Sequence, residues 1–137
     1  MFMNKIQALA NEMKQFFSPQ TVTNVYSICK QLEIEIVEAP IQADAYLECE
    51  NGNSYIVLKE SLNSNRKKFT IAHELGHFYI PWHSELMFGC DIKEMDFKND
   101  YAPREKEANL FAAELLMPMK EFKNHFSGKI CYTTVSE

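Results

Sequence analysis

Apolar and polar residues alternate at helical spacing over residues 3 to 17, and Ser18-Pro19 ends that element. A second helix is predicted over residues 20 to 31. The period then shortens to two. Leu32 to Ile36 alternates with Glu33 and Glu35 on the polar side, and Ala43 to Cys49 and Ser54 to Lys59 flank Glu50-Asn51-Gly52-Asn53. An Asn-Gly pair between such runs predicts a tight hairpin, because its two central residues must take positive φ. Helical spacing returns from about Asn65 to Ile80, with Phe69, Ala72, Gly76 and Ile80 on one side and Ile71, Leu75 and Phe78 on another. So little of this helix is polar beyond Lys68 that it belongs in the centre of the fold. Asn63, Ser64 and Asn65 offer capping oxygens at its start, and Pro81 stops it.

The segment from Glu105 to Leu116 is rich in Ala, Leu and Glu, is closed by Pro118, and gives the strongest helix signal in the chain. Beyond it, residues 119 to 126 read as a short helix ended at Ser127-Gly128, and Lys129 to Tyr132 as a strand. Thr133 to Glu137 reads as the capped start of a further helix, which suggests a truncated chain. Together these elements form an α+β arrangement, a small antiparallel sheet packed on helices around a central one. At 137 residues, 46% of them hydrophobic, the chain is sized for one domain with a substantial core, residues 1–137, and a second would not fit.

The central helix carries His73-Glu74-Leu75-Gly76-His77. Positions four apart stack on one helical face, so His73 and His77 can each offer a ring nitrogen to a single metal ion, with Glu74 beside them. Two neutral imidazoles leave zinc its full charge, which lowers the pKa of a bound water to about 7. Glu74 can then take the proton as the water attacks a carbonyl, and the chemistry implied is amide hydrolysis. Gly76 costs the helix about 1 kcal/mol relative to alanine, so its place here suggests that another backbone or a substrate comes close.

Two residues compete to be the third ligand. His83 has the spacing of the metzincin pattern, but that pattern needs glycine where the chain turns back toward the metal. Here Ile80 occupies the position, a β-branched residue that resists positive φ, and Pro81 follows it. The other is Glu105, which shares a helical face with Ala108, Asn109 and Ala112. The alanines permit close helix packing, and Asn109 can accept a ring N–H from a ligating histidine. Glu107 and Glu114 are expected to be solvated.

The stretch Phe69-Thr70-Ile71-Ala72-His73-Glu74-Leu75-Gly76-His77, followed by Glu105, Ala108-Asn109, Phe111-Ala112-Ala113 and Leu115-Leu116-Met117-Pro118, resembles the ImmA/IrrE family of metallopeptidases. The resemblance covers roughly residues 20 to 126. It implies a zincin-like fold and a gluzincin-like site, with His73, His77 and Glu105 on one zinc ion, Glu74 as catalytic base and His83 at most an accessory. It also implies a substrate class, the helix-turn-helix repressors of phages and mobile elements. The sequence departs from that pattern in two ways. The loop between Ile80 and Tyr101 is longer than in compact members, and Asn109 stands where better-known gluzincins have aspartate.

A formal charge of −5 argues against DNA or an anionic membrane as the main partner. The basic run Arg66 to Lys68 reads as a solvated helix end, with substrate docking as the alternative. Cys29, Cys49, Cys90 and Cys131 form no Cys-x-x-Cys pair, and neither a secretory signal nor an apolar run of membrane length is present. These features predict a cytoplasmic protein with reduced thiols. Cys90 reads as a small hydrophobe, with an alternative as an extra or inhibitory metal ligand. Tyr79, Tyr101 and His83 are undistinguished candidates for oxyanion stabilisation. Tyr55 to Leu58 is a candidate strand for binding substrate backbone, with an interior strand as the alternative. Two rival readings keep the metal site without proteolysis: a zinc-binding module that docks on a regulator, and a toxin with an antitoxin partner.

Overall fold

The computed structural model describes residues 2–83 and 102–117. Among these residues the chain runs α1 (Phe2–Phe17), α2 (Val25–Gln31), β1 (Ile34–Ala39), β2 (Ala45–Glu50), β3 (Asn53–Lys59), α3 (Ser64–Tyr79), a 3-10 turn at Pro81–His83, and α4 (Ala102–Leu116). The elements expected after Pro118, together with Cys90, Tyr101 and Cys131, lie outside the described residues.

Local chemistry accounts for most of the boundaries. Lys14, in the last turn of α1, extends its ammonium to the Ser18 carbonyl at 3.1 Å and the Gln20 carbonyl at 2.5 Å, tying down the chain just beyond the end of the helix. Asn24 caps α2 by accepting from the Ser27 amide at 3.0 Å, so this helix starts later than the periodicity predicts. Asn63 does the same for α3, accepting from the Arg66 amide at 2.8 Å. The turn between β2 and β3 has Asn51 at φ 54° and Gly52 at φ 81°, the positive pair that an Asn-Gly hairpin requires.

The sheet is mixed, where a wholly antiparallel one was expected. Its order is β1-β3-β2, with β2 antiparallel to β3 and β1 parallel to it, Ile34 facing Ser54 and Ala39 facing Lys59. The cause lies in β3, where Ile56, Val57 and Leu58 are buried in succession. A strand apolar on both faces is most stable between two neighbours, whereas the alternating glutamates of β1 and β2 suit edges. Both hydrogen-bonding edges of β3 are therefore taken, and Tyr55 to Leu58 is an interior strand that cannot bind substrate by strand addition.

Helix α3 lies at the centre, touching α2, α4, β2, β3 and the 3-10 turn, while α1 lies along α4. Two members of the basic run tie its first turn to the sheet side. Arg66 Nε donates to Asp44 at 3.0 Å, and Lys67 Nζ donates to Glu38 at 3.2 Å. Such exposed pairs contribute little energy, about 0–1 kcal/mol each, so the helix is held chiefly by its apolar faces. Ile71, Ala72, Leu75 and Ile80 are fully buried with Ile6, Met13, Ile28, Ile56, Leu58 and Phe111 in one core.

The close approach that Gly76 signals is made by a side chain of α4. A Cβ at Gly76 would sit 3.1 Å from the Cβ of Phe111 and 3.2 Å from its Cγ and Cδ1. Phe111 is fully buried and its Cβ is bound to the α4 backbone, so the ring cannot swing clear without moving the helix. We predict that Gly76→Val costs about 2–3 kcal/mol of stability in urea unfolding, from overpacking that outweighs the better helix propensity. A neutral result would show that α3 and α4 are not packed at this distance.

Candidate metal centre

One helical turn on α3 sets the imidazoles of His73 and His77 with ring centroids 4.9 Å apart and planes nearly perpendicular. The first turn of α4 brings Glu105 opposite them. His73 Nε2 lies 2.9 Å from Glu105 Oε1 and His77 Nε2 lies 2.9 Å from Oε2, so one carboxylate spans both rings. This approach is possible because Ala108 and Ala112, on the same face of α4, are wholly buried and add almost no bulk. The three side chains retain 13%, 12% and 27% exposure, which leaves the cluster largely desolvated yet open to a small ligand.

Asn109 stands one turn beyond Glu105 and accepts from His73 Nδ1 at 2.8 Å. With that proton on Nδ1, a neutral His73 turns a bare Nε2 lone pair toward a carboxylate oxygen. Two lone pairs at this separation repel unless a positive charge lies between them, either a proton or a cation. One ligand atom from each of His73, His77 and Glu105 lies within 4.8 Å of the others. Two imidazole nitrogens and one carboxylate are also a donor set that zinc accepts while keeping a fourth position open, so these residues fit a metal.

The electrostatics follow from crowding these groups together. Burial pushes the Glu105 carboxyl up, but hydrogen bonds from His73 and His77, with their charge, hold it well below the usual carboxylate range. Burial lowers the His73 imidazole, and the hydrogen bond to Glu105 with the charges of Glu74 and Glu105 overcome this and leave it above its ordinary value. Glu74 is buried on the same helix. Its desolvation raises its pKa, against the opposing pull of His77 and His73.

His83 takes a different place from a ligand. It is fully buried, and its Nδ1 lies 3.0 Å from Nδ1 of His77, on the side of that ring away from Glu105. Its Nε2 lies 2.7 Å from Glu107 Oε1, and Trp82 Nε1 donates to the same oxygen at 2.8 Å. Desolvation lowers the His83 pKa, with Glu107 opposing. Glu107 is thus engaged rather than solvated, and Glu114 is buried as well, at 6% exposure. The available signal for Glu107 was Trp82, the single tryptophan of the chain, whose indole N–H needs an acceptor once it packs beside a proline stop. Tyr79 packs against Phe111, with ring centroids 6.3 Å apart.

A peptidase family model described as the IrrE N-terminal-like domain matches residues 29–136. Among individual proteins, the chain is 30% identical over 108 residues to the uncharacterized immunity region protein 2 of Bacillus phage phi105, covering 74% of this chain and 65% of that one. It is 26% identical over 115 residues to metallopeptidase ImmA of Bacillus subtilis (strain 168), covering 83% and 66% respectively. The chain thus spans just under two thirds of the length of either relative.

The raised pKa of Glu74 has a signature in stability. Without metal, the folded protein holds this proton to higher pH than the unfolded chain does. Stability therefore falls as pH rises from the unfolded value, about 4.3, toward the raised folded value. Glu74→Gln, which removes the titration, is expected to match the unaltered protein near pH 4 and to become progressively more stable above that. Urea unfolding in excess chelator at pH 5 and pH 8 measures the difference, and an advantage that does not grow with pH contradicts desolvation of this carboxyl.

Proposed function

Because the chain belongs to the IrrE N-terminal-like domain family of peptidases, we propose that it is a zinc-dependent endopeptidase that cuts a cytoplasmic regulatory protein, a helix-turn-helix repressor of a phage or mobile element. The observation that carries this reading is the convergence of His73 Nε2, His77 Nε2 and both Glu105 oxygens from two helices, with Glu74 buried beside them. The repressor as substrate rests on the family resemblance of the two sequence blocks, and a relative named for a phage immunity region accords with it. The cytoplasm is where such a repressor acts and where unpaired thiols stay reduced. Among the described residues no helix is long and apolar enough to cross a membrane.

In this reading His73, His77 and Glu105 hold one zinc ion, and Asn109 keeps His73 oriented through its Nδ1. Bound zinc would polarise the scissile carbonyl and acidify a water. Glu74, buried beside the cluster, would serve as the base for an attacking water and would return that proton to the leaving amine nitrogen. A carboxyl whose pKa is raised by burial suits both steps, since it is closer to the working pH than a solvated glutamate. The low-lying Glu105 carboxyl stays ionised throughout and remains an oxygen donor.

Three outcomes are expected. Glu74→Gln retains one zinc per chain by metal analysis but loses about 10²–10⁴-fold in cleavage of a cognate repressor. Binding of the repressor by both proteins, with fragments from neither, would instead favour a docking module. Glu105→Ala loses stoichiometric zinc. Finally, zinc must displace the proton that His73 holds above its ordinary pKa, so apparent zinc affinity rises as pH increases through that range and falls on acidification. Competition titrations against a chromophoric chelator from pH 6 to 8 follow it, and a flat profile sinks the histidine ligands.

A further inference from the structure

Beyond the metal-facing atoms lies a line of hydrogen bonds whose direction can be worked out from its outer end. Trp82 Nε1 can only donate, and a carboxylate can only accept, so Glu107 Oε1 receives both the indole N–H at 2.8 Å and a proton on His83 Nε2 at 2.7 Å. His83 has no exposed surface, and a second proton on its ring would bury a full positive charge. Its Nδ1 is therefore bare. That nitrogen lies 3.0 Å from His77 Nδ1, and two bare or two protonated nitrogens cannot face each other so closely. His77 Nδ1 must carry the proton, so its Nε2, 2.9 Å from Glu105 Oε2, is the nitrogen left to share either a proton or a cation with that carboxylate.

We propose that His83 and Glu107 are positioning residues that hold His77 in the one tautomer able to ligate zinc, an inference that rests on the metal centre proposed above. Asn109 performs the same service for His73 with a single amide oxygen. The two ligating rings thus have unlike supports, one a direct amide and the other a buried imidazole backed by a carboxylate. Both supports end on α4, which also supplies Glu105. The turn at Pro81–His83 gives His83 its place. With Ile80 at φ −73° and ψ 117°, the chain leaves α3 in extended conformation and folds back against the outer nitrogen of His77. His83 therefore contributes to the centre without touching its ligand position.

The test compares His83→Phe, which keeps a flat ring without an acceptor, with His83→Asn, whose amide oxygen can stand near the original Nδ1. Zinc affinity is measured by chelator competition, and histidine tautomers in the zinc-loaded unaltered protein by long-range ¹H–¹⁵N NMR. His83→Phe is expected to weaken zinc binding about 10- to 100-fold, with His83→Asn recovering most of the loss. The spectra are expected to show His77 protonated on Nδ1 and coordinated through Nε2, and His83 uncoordinated with its proton on Nε2. The NMR arm needs no substitution, so it stands even if a variant fails to fold. Unchanged affinity in His83→Phe, or a coordinated His83, overturns the proposal while leaving the metal centre in place. Failure of the unaltered chain to bind zinc overturns both.

Discussion

The contact between Gly76 and Phe111 sets how closely α3 and α4 approach, and every polar feature of the candidate site depends on that distance. Phe111 fills the space where a side chain on α3 would stand, and Ala108 and Ala112 keep the same face of α4 low. With the helices drawn together, a glutamate in the first turn of α4 reaches two histidines on α3. Helix-borne donors are held more rigidly than loop-borne ones, because their backbones are fixed by intrahelical hydrogen bonds and their neighbours by core packing. Gly76 weakens α3 by about 1 kcal/mol on propensity grounds, and closer packing offsets that loss.

The same closeness creates an electrostatic conflict that a cation resolves. A carboxylate forced below its usual pKa range, an imidazole held above its own and a second carboxyl raised by burial share one small volume. In an ordinary core such groups would be replaced by apolar residues at a gain in stability. Their convergence between two packed helices is the arrangement expected of a functional site, since perturbed titrations cluster at such sites. His83 and Glu107 extend the arrangement outward, so the polar network ends on an indole N–H and a carboxylate instead of an unsatisfied atom.

Much of this was legible in the chain. The four-residue spacing of His73 and His77, the resistance of Ile80 to a glycine-like turn, and the shared face of Glu105, Ala108 and Asn109 each follow from helical geometry, which sequence displays directly. The hairpin was equally visible, since Asn51 and Gly52 carry their conformational preference with them. What could not be read depended on contacts between distant segments. The parallel pairing of β1 with β3 is settled by which strand is buried on both faces, and Ile56, Val57 and Leu58 form too short a run to distinguish a central strand from an edge. Glu107 looked solvated because nothing local joins it to Trp82 and His83, which lie more than twenty residues earlier. Gly76 signalled a close approach correctly but could not say that a phenylalanine was approaching.

Helix α1 bears on where this domain begins. It precedes the segment that the family model matches, residues 29–136, yet Ile6, Ala10 and Met13 belong to the same core as Phe111, Ala112 and Leu115 of α4. Thr23, also ahead of that segment, donates its hydroxyl to the Leu115 carbonyl at 2.7 Å and anchors the far end of α4. A fragment trimmed to the matched boundary would strip one wall from the helix that carries Glu105. The core that keeps these donors aligned thus includes residues upstream of the segment that the family model matches.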